Sequence, residues 1–145
     1  MFRTVLAVAT IAIGATAVVA QSDPIAARKA LMKNMGAATK TGSQMVKGEV
    51  PYDQTKAQDI LATYVDVSTK APDLFPATSK AGGETTAAPK IWEDTAGFKA
   101  AFSKMSTEAK AAQSSVKDLD TFKASFSGLT KNCGGCHETY RVKKS

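Results

Sequence analysis

The chain has 145 residues, the size of one small domain, and 43% of them are hydrophobic, so a buried core is within reach. Its 19 basic and 13 acidic residues give a formal charge of +6, but the lysines are scattered rather than interleaved with aromatics, which argues against a nucleic-acid surface. Two cysteines and a single histidine fall one ligand short of a closed zinc site.

Residues 1–20 read as a secretory leader. Arg3 supplies the positive start, residues 5–19 form an uncharged apolar run, and Val18 and Ala20 are small residues before Gln21. The run is shorter than the ~20 residues a membrane span requires, and no polybasic stop follows. Cleavage after Ala20 would leave residues 21–145 as one domain without a membrane span.

The mature part reads as four helices bracketed by prolines. The first is expected from Pro24 to about Lys47, with Asp23 as N-cap and Gly48 at its end. Its apolar stripe is Ile25, Met32, Met35, Gly42 and Val46, with Leu31, Ala38 and Met45 alongside. The second starts after Asp53 and carries Ala57, Ile60, Leu61, Tyr64, Val65 and Val67 before Pro72. Residues 71–89 are expected as a loop that crosses the bundle, pinned by Leu74 and Phe75. A third helix is expected from about Pro89 to Ser115, with Trp92 near its entry and Ile91, Phe98, Phe102, Met105, Ala109 and Ala112 inward. The fourth begins near Asp118. Leu119, Phe122, Phe126, Leu129, Cys133, Cys136 and Tyr140 step by three and four along it. Period and short links point to an all-α, antiparallel four-helix bundle.

Cys133-Gly134-Gly135-Cys136-His137 carries the chemistry. Cys-x-x-Cys-His is the attachment signature of a c-type haem: the thiols add to the vinyl groups and the imidazole coordinates iron. Positions i, i+3 and i+4 lie on one helix face, so Cys133, Cys136 and His137 can turn toward one macrocycle. The glycines between the cysteines add no bulk at the porphyrin edge. A redox dithiol would be expected beside a βαβ unit, of which there is no sign, and a short disulfide is the other use of two cysteines. Because the thiols fall on the core-facing stripe, one covalent haem c is expected to form part of the core. Haem attachment of this kind takes place outside the bacterial cytoplasm, in keeping with export to the periplasm.

A Cys-x-x-Cys-His placed near the C-terminus and followed by Tyr140 and Arg141 resembles cytochrome c′ and its low-spin relatives, the class II cytochromes c. The resemblance extends to the Arg28 region, the turn Lys47-Gly48-Glu49-Val50-Pro51-Tyr52-Asp53, and Pro89-Lys90-Ile91-Trp92. It implies His137 as proximal ligand, with the first helix over the distal face. In five-coordinate members the position four residues after the helix-one arginine holds a non-ligating apolar side chain; here it is Met32, and in low-spin members a methionine there binds the iron. Periodicity alone does not separate Met32 from Met35; the family register selects Met32. The resemblance also places Arg28 and Arg141 near the haem and its propionates. A His137/Met32-ligated iron implies electron transfer with periplasmic redox partner proteins, whereas an open site implies binding of small gases such as nitric oxide. Homodimers through the first two helices are common in the family. The chain has no second histidine and no grouped acid, base and nucleophile, so it is not expected to be an enzyme.

Overall fold

A computed structural model of the chain describes residues 23–143; the expected leader, residues 1–20, lies outside them. Five α-helices follow in order: α1 (Pro24–Lys47), α2 (Gln54–Lys70), α3 (Lys90–Glu93), α4 (Thr95–Ser115) and α5 (Leu119–Tyr140). The four long ones pack as a bundle in which α1 touches α2 and α5, and α4 touches the same two.

The caps are local chemistry. Asp23 accepts the Ile25 N–H at 2.9 Å to start α1, and Pro24 occupies a position that needs no donor. Gly48 closes the helix at φ 74°, a left-handed conformation that suits glycine. Asp53 accepts the Lys56 N–H at 3.0 Å to start α2. Asp118 and Thr121 form a reciprocal capping box at the start of α5.

The helix expected from Pro89 to Ser115 is broken. Asp94 leaves helical conformation (φ −128°, ψ 59°) and its carboxylate accepts the Gly97 N–H at 3.0 Å, so a one-turn α3 precedes α4. A short polar side chain offered the backbone a better partner than continued helix. Glycine is required at 97 because a Cβ there would meet the Asp94 carboxylate and lie 2.7 Å from the Tyr140 hydroxyl.

Residues 71–89 cross the bundle over one end, past α1 and the end of α5, rather than along its length. The short links 48–53 and 116–118 make two antiparallel hairpins, which bring the end of α2, the start of α4, the start of α1 and the end of α5 together. The loop stays at that end and floors it, with two short 3₁₀ turns, Ala71–Leu74 and Ala77–Ser79. Phe75 is the pin foreseen from the sequence: its ring meets Phe98 at 4.7 Å and Trp92 at 6.2 Å. At the other end, the buried Val116 carbonyl accepts Gln54 Nε2 at 2.9 Å, which ties the α4–α5 link to α2.

The core is built mainly on α2, whose Ala57, Ile60, Leu61, Tyr64 and Val67 are buried against Phe98, Phe102, Met105, Ala109 and Ala112 of α4. Burial of each large side chain contributes about 1.5–3 kcal/mol, so this pair of stripes carries much of the stability. On α1 the deeply buried positions are Arg28, Met35, Gly42 and Met45; Ile25, Met32 and Val46 are only half-buried.

Gly42 marks the closest approach of α1 and α5. A Cβ there would lie 2.6 Å from Cε2 and Cζ of Phe126. That ring cannot swing away, because it stacks on Phe122 at 5.1 Å and meets the Tyr64 edge at 6.3 Å. Gly42→Ala gains up to about 1 kcal/mol in helix propensity against about 1–3 kcal/mol of overpacking. A net loss of about 1 kcal/mol is expected, read as a lowered urea midpoint; an unchanged or raised midpoint would show that Phe126 yields.

Candidate functional site

The buried stripe of α5 (Phe122, Phe126, Leu129) runs on into Cys133, Cys136 and Tyr140, which are half-buried because they line a cavity of about 930 Å³. That is the size of a cofactor site. The thiols are therefore at the edge of the core rather than inside it, at the end of the bundle floored by the 71–89 loop. Cys133, Cys136 and His137 share one wall, as the i, i+3, i+4 spacing requires. Gly134 and Gly135 are exposed, and a Cβ on either meets nothing within 4 Å, so the protein's own packing does not demand glycine there.

Both thiols are free rather than paired with each other. Burial pushes each thiol pKa up, opposite to the depressed value that a dithiol exchange site needs. His137 sits exposed at the rim. The part of its ring turned in from water, and then the Arg141 charge, lower its pKa, which favours the neutral imidazole and leaves a lone pair for a metal.

The facing wall comes from α1: Arg28, Met32, Met35, Gly36 and Thr39 line it. Met35 is 7% exposed and belongs to the core cluster, whereas Met32 is half-buried between the exposed Lys29 and Lys33. Phe75, Ile91, Phe98 and Phe102 complete an apolar interior, and Phe98 holds Phe102 at 5.1 Å and Tyr140 at 5.2 Å, both edge to face. No α2 residue lines the cavity.

Arg28 and Arg141 both line it, in different ways. Arg28 is 4% exposed. Its Nη1 donates to Leu74 O at 3.2 Å and Ser79 Oγ at 2.8 Å, and its Nη2 to Ser79 O at 3.2 Å and Thr85 Oγ1 at 2.8 Å. The guanidinium also lies 4.6 Å over the Phe75 ring. It is a strut that folds the loop onto α1. Arg141 is exposed at the end of α5, where Ala87 pairs with it in an antiparallel bridge and Ala88 N–H donates to Tyr140 O at 3.0 Å.

Two thiols and an imidazole on one wall, thioethers opposite and aromatic edges between fit a haem. Among the described residues no three His, Cys, Asp or Glu side chains gather to chelate a metal, so iron would enter with its porphyrin. The sequence did not reveal the hydroxyl pair of Thr39 and Tyr64, 2.6 Å apart, nor the loop groups that satisfy Arg28. Their partners are far along the chain. The Asp94 break did have a local signal: Asp94-Thr95-Ala96-Gly97 reads as an N-cap.

Comparison with known proteins agrees with this geometry. A family model described as Cytochrome C′ matches residues 23–141. A cytochrome c′ of Rhodopseudomonas palustris is 49% identical over 144 residues, which cover 97% of this chain and 99% of the relative. A cytochrome c-556 of Agrobacterium tumefaciens is 37% identical over 119 residues, covering 81% of this chain and 94% of the relative. The solved structure of the R. palustris cytochrome c′ superposes with a TM-score of 0.83 at 50% identity, covering 86% of this chain and all of that one.

Tyr140 anchors the end of the site helix by donating to Asp94 Oδ2 at 2.8 Å. That bond, with the Gly97 N–H, holds the Asp94 carboxyl below its ordinary value. A carboxylate with a lowered folded pKa contributes stability above its unfolded pKa, and the contribution is lost as pH falls through the folded one. Tyr140→Phe should therefore melt below wild type at neutral pH, and the gap should narrow in acid below the ordinary aspartate range. Thermal melts across pH test this; a gap independent of pH would show that the hydroxyl acts by packing alone.

Proposed function

The chain belongs to the cytochrome c′ family, the class II cytochromes c, and on that premise we propose that it is an electron carrier of the periplasm with a His137/Met32-ligated iron. Proteins of this family hold one haem c covalently. When bound, the haem supplies one-electron exchange at its iron. Cys133 and Cys136 would hold it through thioethers, and His137 would supply an imidazole ligand. Met32 would offer a thioether from α1, and the aromatic interior would limit water around the group. Arg141 stands at the rim, where it can meet the acidic edge of the group. Arg28 borders the same cavity while it holds the loop in place.

The observation that carries the electron-transfer reading is a half-buried methionine on the α1 side of the cavity that His137 also lines, flanked by exposed lysines and outside the buried core. A thioether that closes the sixth position leaves the ligand set unchanged between oxidation states and raises the potential. The cleavable leader assigned to residues 1–20 and the site of haem attachment support a periplasmic location. No helix among the described residues is long and apolar enough to cross a membrane. Redox partner proteins, and a homodimer through α1 and α2, belong to the same proposal.

A second reading, a five-coordinate protein that binds small gases such as nitric oxide, is favoured by the 49% identical relative that bears the name cytochrome c′. Met32→Leu separates the two. It conserves volume and should cost less than about 1.5 kcal/mol in packing. Wild type should be low-spin and show the weak sulfur-to-iron charge-transfer band when oxidised. Met32→Leu should lose that band, turn high-spin and bind carbon monoxide more tightly, roughly a hundredfold if Met32 dissociation costs about 3 kcal/mol. A wild type that is already high-spin, and unchanged by the substitution, transfers the assignment to gas binding.

Attachment has its own check. Replacing Cys133 and Cys136 by Ser should yield polypeptide mass alone after acid–acetone extraction, with loss of thermal stability, since a ligand that binds the native state adds its binding free energy to folding. Haem retained through extraction in that double variant would refute the thioether assignment.

A further inference from the structure

We infer that Tyr64, acting through Thr39, is a positioning residue that holds the Met32 segment of α1 at the distance at which its thioether binds iron. The inference rests on the assignment of Met32 as distal ligand. The α2 helix sends no side chain to the cavity wall, yet Tyr64 on that helix is 0% exposed and its hydroxyl lies 2.6 Å from Thr39 Oγ1. Thr39 does line the cavity, and its hydroxyl donates to the Met35 carbonyl at 2.8 Å. Met35 stands three residues after Met32, so the backbone held in this way is the turn that follows the one carrying Met32.

The hydrogens are accounted for. Thr39 has a single hydroxyl hydrogen, which is committed to the Met35 carbonyl, so the Tyr64 O–H donates to Thr39 Oγ1. Thr39 on α1 and Cys133 on α5 both line the cavity, and the buried Tyr64 hydroxyl meets Thr39 from α2. The Tyr64–Thr39 bond does not need the Cys133 proton, so it survives conversion of that thiol to a thioether, which has no hydrogen to give. Burial pushes the phenol to about 12, and the bond keeps its proton throughout the neutral range.

Deletion of one hydroxyl tests the idea. Holoprotein of wild type, Tyr64→Phe, Thr39→Val, the double variant and a control, Thr41→Val, would be compared. Thr41 lies on the same helix, but its hydroxyl bonds only its own turn, at Ala37 O. The readouts are the intensity of the sulfur-to-iron band and the apparent affinity for carbon monoxide, with melting followed in parallel. Tyr64→Phe should weaken the band and raise carbon monoxide affinity roughly tenfold, the scale of one net hydrogen bond. Thr39→Val should do the same, and the double variant should add little, because the two groups act as one unit. Thr41→Val should leave both readouts unchanged. A wild type with the band, and a Tyr64→Phe that melts lower without altering band or affinity, would reduce Tyr64 to a packing residue and overturn the inference alone. A wild type without the band overturns the Met32 assignment and this inference with it.

Discussion

The site end of this bundle depends on one buried cation. Arg28 has been taken out of water without a carboxylate to meet it, and burial draws its pKa down against the pull of Asp23. An unpaired interior charge is costly unless its donors are filled. Here backbone carbonyls at 74 and 79 and hydroxyls at 79 and 85 take up both terminal nitrogens, and the Phe75 face lies beneath the plane. Those partners all belong to the 71–89 loop. The charge and the loop therefore order each other, and the cavity has a floor because of it. Phe75, fixed in this way, passes the constraint through Phe98 to Tyr140 and so to the helix that carries the attachment motif.

How much of this could be read from the residues follows from the range of each interaction. The caps at Asp23, Asp53 and Asp118, the glycine end at 48 and the motif at 133–137 are encoded within a few positions, and the structure has them where the pattern places them. The inward stripes of α2, α4 and α5 were legible for the same reason. The break at Asp94 was obscured by the apolar spacing on either side of it, although its capping pattern was present. Arg28 was named as a site residue, but its burial and its partners were beyond reach. Nothing near it in sequence announces that it will be buried, since its partners lie 46 to 57 residues away. The Thr39–Tyr64 pair, 25 residues apart, was hidden likewise. The loop was expected to cross the bundle, and it does so over the end where two tight hairpins gather the helix termini.

The arrangement divides the site into parts of different firmness. Met35 is packed among core side chains while Met32 is half-exposed, so on the proposed ligation Met32 is the thioether less constrained by packing. His137 is held on a helix whose last turn is tied at Tyr140 by both a backbone and a side-chain bond. The His137 side of the cavity is thus the more firmly tied one. On the proposed ligation, what distinguishes an electron carrier from a gas binder would act on the α1 side.

Because α2 lines none of the cavity and yet holds several of the most completely buried side chains, a share of the chain's thermodynamic reserve lies off the cavity wall. Most substitutions destabilise, and proteins tolerate them only while reserve remains. A single exchange on the α1 wall would alter the lining of the cavity without touching the buried stripe of α2. Such a scaffold can drift between ligation states through viable intermediates, each of them folded, and this separation gives one bundle an evolutionary path to more than one use.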